Sequence, residues 1–301
     1  MILDRRAFLQ TTGALAAVAA ARPQGAAAAA AGTPKKAVYA GMLPKELGYA
    51  ARFQLARDSG FAGVEVSTIT DPAVAEEIRA AAVKTGLRIH SVMNDAHWQY
   101  PLSSADPAVV NKSVAGMEAS LKNAKLWGAD SVLLVPAVVD AGTAYRDAWA
   151  RSQKVIKERI LPLAQELKVV VGIEEVWNKF LLSPLEMARY VDELASPWAK
   201  AYLDVGNMLF YGFPQDWVRT LGPRISRIHI KDFKLDRGKG QFFWKNLGEG
   251  DVDWVAVRKA LADIGYDGWI TTEIEGGDAA YLKDVVARFD RFLAGQKPVA
   301  A

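Results

Sequence analysis

No cysteine occurs among the 301 residues. That excludes disulfides, thiol nucleophiles, cysteine-bound zinc and a lipid-modified cysteine anchor, and leaves oxygen and imidazole as the strong ligands. Histidine is scarce as well, with 3 in the chain, too few for a site built from many imidazoles. There is little charge of one sign: 37 Lys+Arg face 34 Asp+Glu for a net charge of +3. Because Arg5, Arg6, Arg22, Lys35 and Lys36 cluster near the N-terminus, the body is near neutral, with no basic stripe to follow nucleic-acid phosphates. What is present, 51% apolar and 24% charged residues, describes an ordinary globular protein.

The first residues read as an address. Arg5-Arg6-Ala7-Phe8-Leu9 resembles a twin-arginine export signal, followed by the modestly apolar Thr11 to Ala21 and the small residues Ala26 to Ala31. That stretch falls short of the ~20 apolar residues of a spanning helix, so the expectation is a cleaved leader over residues 1–32, a periplasmic product and no membrane contact after cleavage. Residues 33–301 then form one domain of roughly 270 residues, the usual size of a (β/α)8 barrel.

Strand-like runs rich in Val, Ile and Leu recur at Lys36–Gly41, Gly63–Ser67, Arg88–Met93, Ser131–Val138, Val169–Glu175, Ala199–Asp204, Ile225–Ile230 and Trp269–Glu273. Helical patterns separate them at Leu47–Ser59, Ala73–Thr85, Val109–Gly128, Ala144–Leu167, Pro184–Glu193, Asp253–Ile264 and Asp278–Ala294. Eight alternating units specify a parallel sheet covered by helices, and the simplest closure is a single TIM barrel of the α/β class. Chemistry in such barrels sits at the C-terminal strand ends. Four metal-binding residue types fall there: one glutamate of the pair Glu174-Glu175, then Asp204, His229 and Glu273. Alternation allows only one of the two glutamates to enter the barrel. Three carboxylates at one mouth repel unless a cation neutralises them, so one divalent ion is expected, Mn2+ first, with Mg2+, Co2+ or Zn2+ compatible with oxygen and nitrogen ligands.

The segments Ile173-Glu174-Glu175-Val176-Trp177-Asn178, Leu203-Asp204-Val205-Gly206-Asn207, Ile228-His229-Ile230-Lys231-Asp232, Leu247-Gly248-Glu249-Gly250-Asp251-Val252-Asp253-Trp254 and Thr272-Glu273 resemble the xylose-isomerase-like sugar isomerases and epimerases. The likeness spans nearly the whole mature region and lies nearest the L-ribulose-5-phosphate 3-epimerase branch. It implies that Glu175, Asp204, His229 and Glu273 hold one divalent metal, with Glu175 and Glu273 also acting as acid and base. The implied reaction is proton abstraction beside a ketose carbonyl, giving epimerisation or isomerisation. A lyase or dehydratase acting on a keto-glycoside would share the first step, and a non-catalytic sugar-binding barrel would need no pair of proton carriers. Metal-dependent apurinic endonucleases share the barrel but use several zinc ions and many histidines, which this chain lacks.

Around the four ligands, His97, Trp177, Asn207, Lys231 and Glu65 are candidates for substrate contact: an aromatic wall, two polar groups just beyond metal ligands, and a carboxylate ending the second strand. Residues Phe233–Gly250 read as a lid, since long loops at this face are usually functional. The partner is a small carbohydrate, and a homo-oligomer is compatible with the chain. Export and the aromatic His97-Trp98-Gln99-Tyr100 point to an unphosphorylated keto-sugar.

Overall fold

The structure, a computed structural model, describes residues 32–300. The expected leader over residues 1–32 lies, but for Gly32, outside the described residues. The chain runs β1 (Lys35–Tyr39), α1 (Tyr49–Ser59), β2 (Gly63–Ser67), α2 (Pro72–Thr85), β3 (Arg88–Met93), the short α3 (Ala96–Gln99), α4 (Pro107–Trp127) and β4 (Ser131–Leu134). Next come α5 (Tyr145–Val155), a π-helical turn at Ile156–Ile160, α6 (Leu161–Leu167), β5 (Val170–Glu174), α7 (Pro184–Glu193), β6 (Ala199–Asp204), α8 (Pro214–Leu221) and β7 (Ile225–Ile230). A hairpin of β8 (Asp232–Asp236) and β9 (Gln241–Lys245) precedes α9 (Trp254–Asp263), β10 (Trp269–Thr272) and α10 (Ala279–Leu293).

Eight strands close in the order β1-β10-β7-β6-β5-β4-β3-β2, all parallel, with helices in the connections. The expected barrel is thus the observed one. Local chemistry supports it at the helix starts. Asp71, Asp106 and Ser183 each precede a proline and accept a backbone N–H of the first turn, caps worth about 1 kcal/mol each. The span expected as one helix, Ala144–Leu167, is α5 and α6 joined through the π turn. Helix α8 and the hairpin's strand pairing were not anticipated. Among the described residues, no helix is long and apolar enough to cross a membrane.

Strand β5 shows how alternation sets the interior. Val171 and Ile173 join the large apolar core, while Gly172 and Glu174 pair with β6 on the barrel's inner side, Glu174 opposite Tyr202. Tyr202 belongs to a separate inner cluster with Met93, Leu133, Val135 and Val176. A Cβ at Gly172 would stand 2.8 Å from Tyr202 Cδ2, so glycine there leaves room for the tyrosine ring.

Candidate active site

At the C-terminal strand ends the structure gathers Glu174 from β5, Asp204 from β6, His229 from β7 and Glu273 immediately after β10. One ligand atom from each lies within 4.8 Å of the others. Nδ1 of His229 is 3.0 Å from Glu174 Oε1, 3.4 Å from Glu273 Oε2 and 3.9 Å from Asp204 Oδ2.

The expectation that Glu175 joins the cluster is corrected: the glutamate gathered there is Glu174. Successive side chains point to opposite faces, and Glu175 shares its face with Val171 and Ile173. It is buried outside the cluster, where Oε1 accepts the Asp204 N–H at 3.1 Å and Oε2 has no partner. Burial first, then the charges of Glu174 and Asp204, push the Glu175 carboxyl well above the usual range. The signal was present in the sequence: apolar Val169, Val171 and Ile173 mark the odd positions as helix-facing, which sends position 174 inward.

Behind the cluster runs a buried hydrogen-bonded chain. His229 Nε2 is 2.5 Å from Glu65 Oε2, and Glu65 Oε1 accepts from Tyr202 OH at 2.8 Å. Glu65 was expected to meet a substrate hydroxyl or Lys231; it is fully buried, with both oxygens engaged inside the barrel. Lys231 Nζ lies 2.8 Å from Asp204 Oδ2 and 2.6 Å from Glu273 Oε2, so it joins the cluster itself. Its path depends on Gly206, where a Cβ would stand 2.3 Å from Lys231 Cγ.

Burial raises the Glu174 carboxyl to about 7 despite its bond to His229. Burial also opposes ionisation of Glu273, but Lys231 and His229 outweigh it and the carboxyl falls below its ordinary value. For His229, burial alone would depress the imidazole; the charges of Glu65 and Glu273 and the bonds to Glu174 and Glu65 raise it well above its usual value.

The residues fit a divalent cation. Asp204 Oδ2 is buried without an aligned hydrogen-bond donor, Lys231 approaching it as a charge partner. Three carboxylates and one imidazole nitrogen form an oxygen-rich donor set suited to Mn2+, Mg2+ or Co2+ and open to Zn2+. The second nitrogen of His229 rests on a carboxylate, the arrangement that fixes the tautomer of metal-bound histidines.

Other expected contacts are placed differently. Asn207 is buried; its backbone N–H donates to Asp204 Oδ1 at 2.9 Å and its side chain to the Glu175 carbonyl at 3.1 Å, which makes it a support for the strand ends. His97 is buried too. The Asn94 amide and the Val135 N–H face its Nδ1 at 3.2 and 3.4 Å, and burial lowers it to about 3. Trp177 stays at the mouth, where its Nε1–H donates to the Asn207 carbonyl at 3.3 Å and its ring meets Phe210, Phe233, Phe242 and Trp244.

The segment Phe233–Gly250, expected as a lid, contributes Trp244, Lys245, Asn246 and Glu249 to the lining of a cleft of ≈ 680 Å³, within the range of small-molecule sites, which Lys231 and Glu273 also line. Sequence reading had left Trp244, Asn246 and Glu249 without individual roles. Asp232 anchors the hairpin base. It accepts N–H bonds from Phe233, Gly248, Gly250 and Val252 and from the Trp254 indole, at 2.9 to 3.3 Å.

An eight-stranded parallel barrel with three carboxylates and a histidine gathered at its C-terminal mouth is a TIM barrel whose residues could hold a metal ion. The chain belongs to the xylose isomerase-like TIM barrel family, whose model matches residues 53–291. It is 30% identical over 259 residues to the protein named "Putative L-ribulose-5-phosphate 3-epimerase SgbU" of Escherichia coli strain K12, covering 79% of this chain and 87% of that one. Among solved structures, a D-allulose 3-epimerase from Methylomonas sp. matches with TM-score 0.71 at 20% identity, covering 87% of this chain and 98% of that chain. The apo 3-keto-D-glucoside 4-epimerase YcjR of E. coli matches with TM-score 0.69 at 16% identity, covering 84% and 98%. Both likenesses bear on the fold.

Proposed function

We propose that the protein is a divalent-metal-dependent sugar epimerase or isomerase that moves a proton beside the carbonyl of an unphosphorylated ketose or keto-sugar, and that it works after export by the twin-arginine route. The observation that carries this reading is the convergence of Glu174 and Glu273 on Nδ1 of His229, from strands separated by β6 and β7, with Glu273 lining an open cleft. A cation held by Glu174, Asp204, His229 and Glu273 would polarise the carbonyl and acidify the neighbouring C–H. One glutamate takes that proton to leave an enediolate; the other returns a proton to the opposite face, which inverts the carbon. Lys231 lies against Asp204 and Glu273 and holds these two carboxylates in place. The name carried by the relative at 30% identity, "Putative L-ribulose-5-phosphate 3-epimerase SgbU", supports this chemistry.

The cleft argues against a phosphate. Lys231 is already matched by two carboxylates, and Glu249 and Glu275 line the same space as Lys245. Incubating the Mn2+-loaded protein with free and phosphorylated ketoses in D2O tests the proposal. Deuterium should enter free ketoses beside the carbonyl and stop on chelation of the metal; exchange confined to the phosphates would refute the unphosphorylated substrate, and no exchange on any sugar would refute the reaction.

A further inference from the structure

We infer that the outer half of the cleft is a subsite for a second glycosyl unit, so that the substrate is a keto-sugar carrying another sugar ring. The orientation of the substrate, reacting unit inward, rests on the function proposed above; the subsite itself stands on the hairpin. Trp244 stacks on Trp177 with ring centroids 5.9 Å apart and planes 23° apart, and Phe242 meets it edge-on at 5.7 Å. Although held on one side in this way, the residue is 56% exposed and lines the cleft. It presents a braced, flat apolar face to solvent.

Beside it, Tyr281 OH bonds to Asn246 Oδ1 at 2.6 Å. That fixes the amide and leaves its NH2 donors for the cleft that Asn246 lines. Glu249, held by Arg288 at 2.9 Å, and Glu275 add acceptors on the same wall. A pyranose offers an apolar C–H face and a rim of hydroxyls that both donate and accept. An aromatic plate beside an oriented amide and fixed carboxylates is complementary to both features, whereas an anionic substituent would meet Glu249 and Glu275.

Size points the same way. A hexose takes about 200 Å³ on the scale of ~30 Å³ per water molecule, so the ≈ 680 Å³ cleft exceeds one ring several-fold. The reacting unit would lie at the Lys231 and Glu273 end and the second ring against Trp244.

The test is calorimetric titration of the Mn2+-loaded full chain with D-fructose and with a 6-O-glucosyl ketohexose. The disaccharide should bind at least tenfold more tightly. Trp244→Ala should bring the ratio of the two affinities to within twofold of unity, and Asn246→Leu should cut it at least threefold, with circular dichroism checking that both variants fold. Equal affinities for the wild-type protein, an unchanged ratio in Trp244→Ala, or no binding of either sugar would overturn the subsite. Deuterium exchange on the same samples reports the reaction separately. Tight disaccharide binding without exchange would sink the proposed function and keep the subsite; exchange without discrimination would do the reverse.

Discussion

Replacing each glutamate of the Glu174-Glu175 pair in turn by glutamine gives opposite outcomes for two neighbours of identical chemistry. Glu174→Gln removes a carboxylate oxygen 3.0 Å from His229 Nδ1 and one of the two proposed proton carriers. A lost acid or base costs 10²–10⁴ in rate, and the weakened cation site adds to it. A fall of about 10³-fold in deuterium exchange, roughly 4 kcal/mol at 1.36 kcal/mol per decade, is expected. Glu175→Gln keeps an oxygen for the Asp204 N–H now bonded at 3.1 Å. It also puts a neutral amide in place of a carboxyl whose ionisation is opposed by burial and by the charges of Glu174 and Asp204. Exchange should stay within about threefold of wild type, and Tm within about 2 °C, the shift that ~1 kcal/mol gives in a domain of this size. Glu175→Leu leaves the Asp204 N–H buried and unmatched, at about 1–3 kcal/mol. Exchange is read by proton NMR in D2O, Mn2+ affinity by calorimetry, and stability by thermal melts. If Glu175→Gln abolished exchange and Mn2+ binding while Glu174→Gln left both intact, the assignment of inner and outer faces on β5 would be wrong.

Glu65→Gln should weaken Mn2+ binding about 10- to 100-fold by removing the charge behind His229 Nε2; calorimetry showing unchanged affinity would disconnect Glu65 from the site. Asp232→Ala strips the hairpin base of an acceptor for five donors and should cost about 3 kcal/mol or more. Limited proteolysis should then cut between Asp236 and Gln241 faster than in wild type, and equal rates would count against an anchoring role. His97 stays neutral in the fold down to about pH 3, whereas the unfolded chain protonates below about 6.5. Stability from this residue is therefore present above pH 6.5 and falls as pH drops from there towards 3, by at most about 1.4 kcal/mol per pH unit. Urea midpoints measured from pH 7 to 4 should slope less steeply in His97→Gln; parallel slopes would refute it.

The barrel was legible in the sequence because eight apolar runs alternate with helical patterns and end in turn chemistry, and Asp204, His229 and Glu273 were legible because each lies at or just past such an end. Glu174 was missed because resemblance overrode the alternation of Val169, Val171 and Ile173. Glu65 and Asn207 were misread for a different reason. A polar residue at a strand end looks the same in sequence whether it meets a ligand or a buried neighbour, and here Tyr202, His229 and the Glu175 carbonyl took up their hydrogen bonds. Helix α8 went unseen because it has eight residues, though Trp217, Val218 and Leu221 form its buried face. The hairpin's pairing of Phe233 with Trp244 is non-local and left no local pattern strong enough to separate it from a loop.

Asp232 follows the cluster residues His229 and Lys231 along one continuous stretch, yet its own bonds go to the hairpin's feet. The segment between those feet can therefore vary in length and composition while the anchoring bonds and the cation ligands remain in place. Under the proposed function and subsite, selectivity would be built as a replaceable part. A lineage could retune which sugars it accepts by rewriting residues 234–246, and a designer could transplant that stretch between barrels that keep an aspartate at the same point.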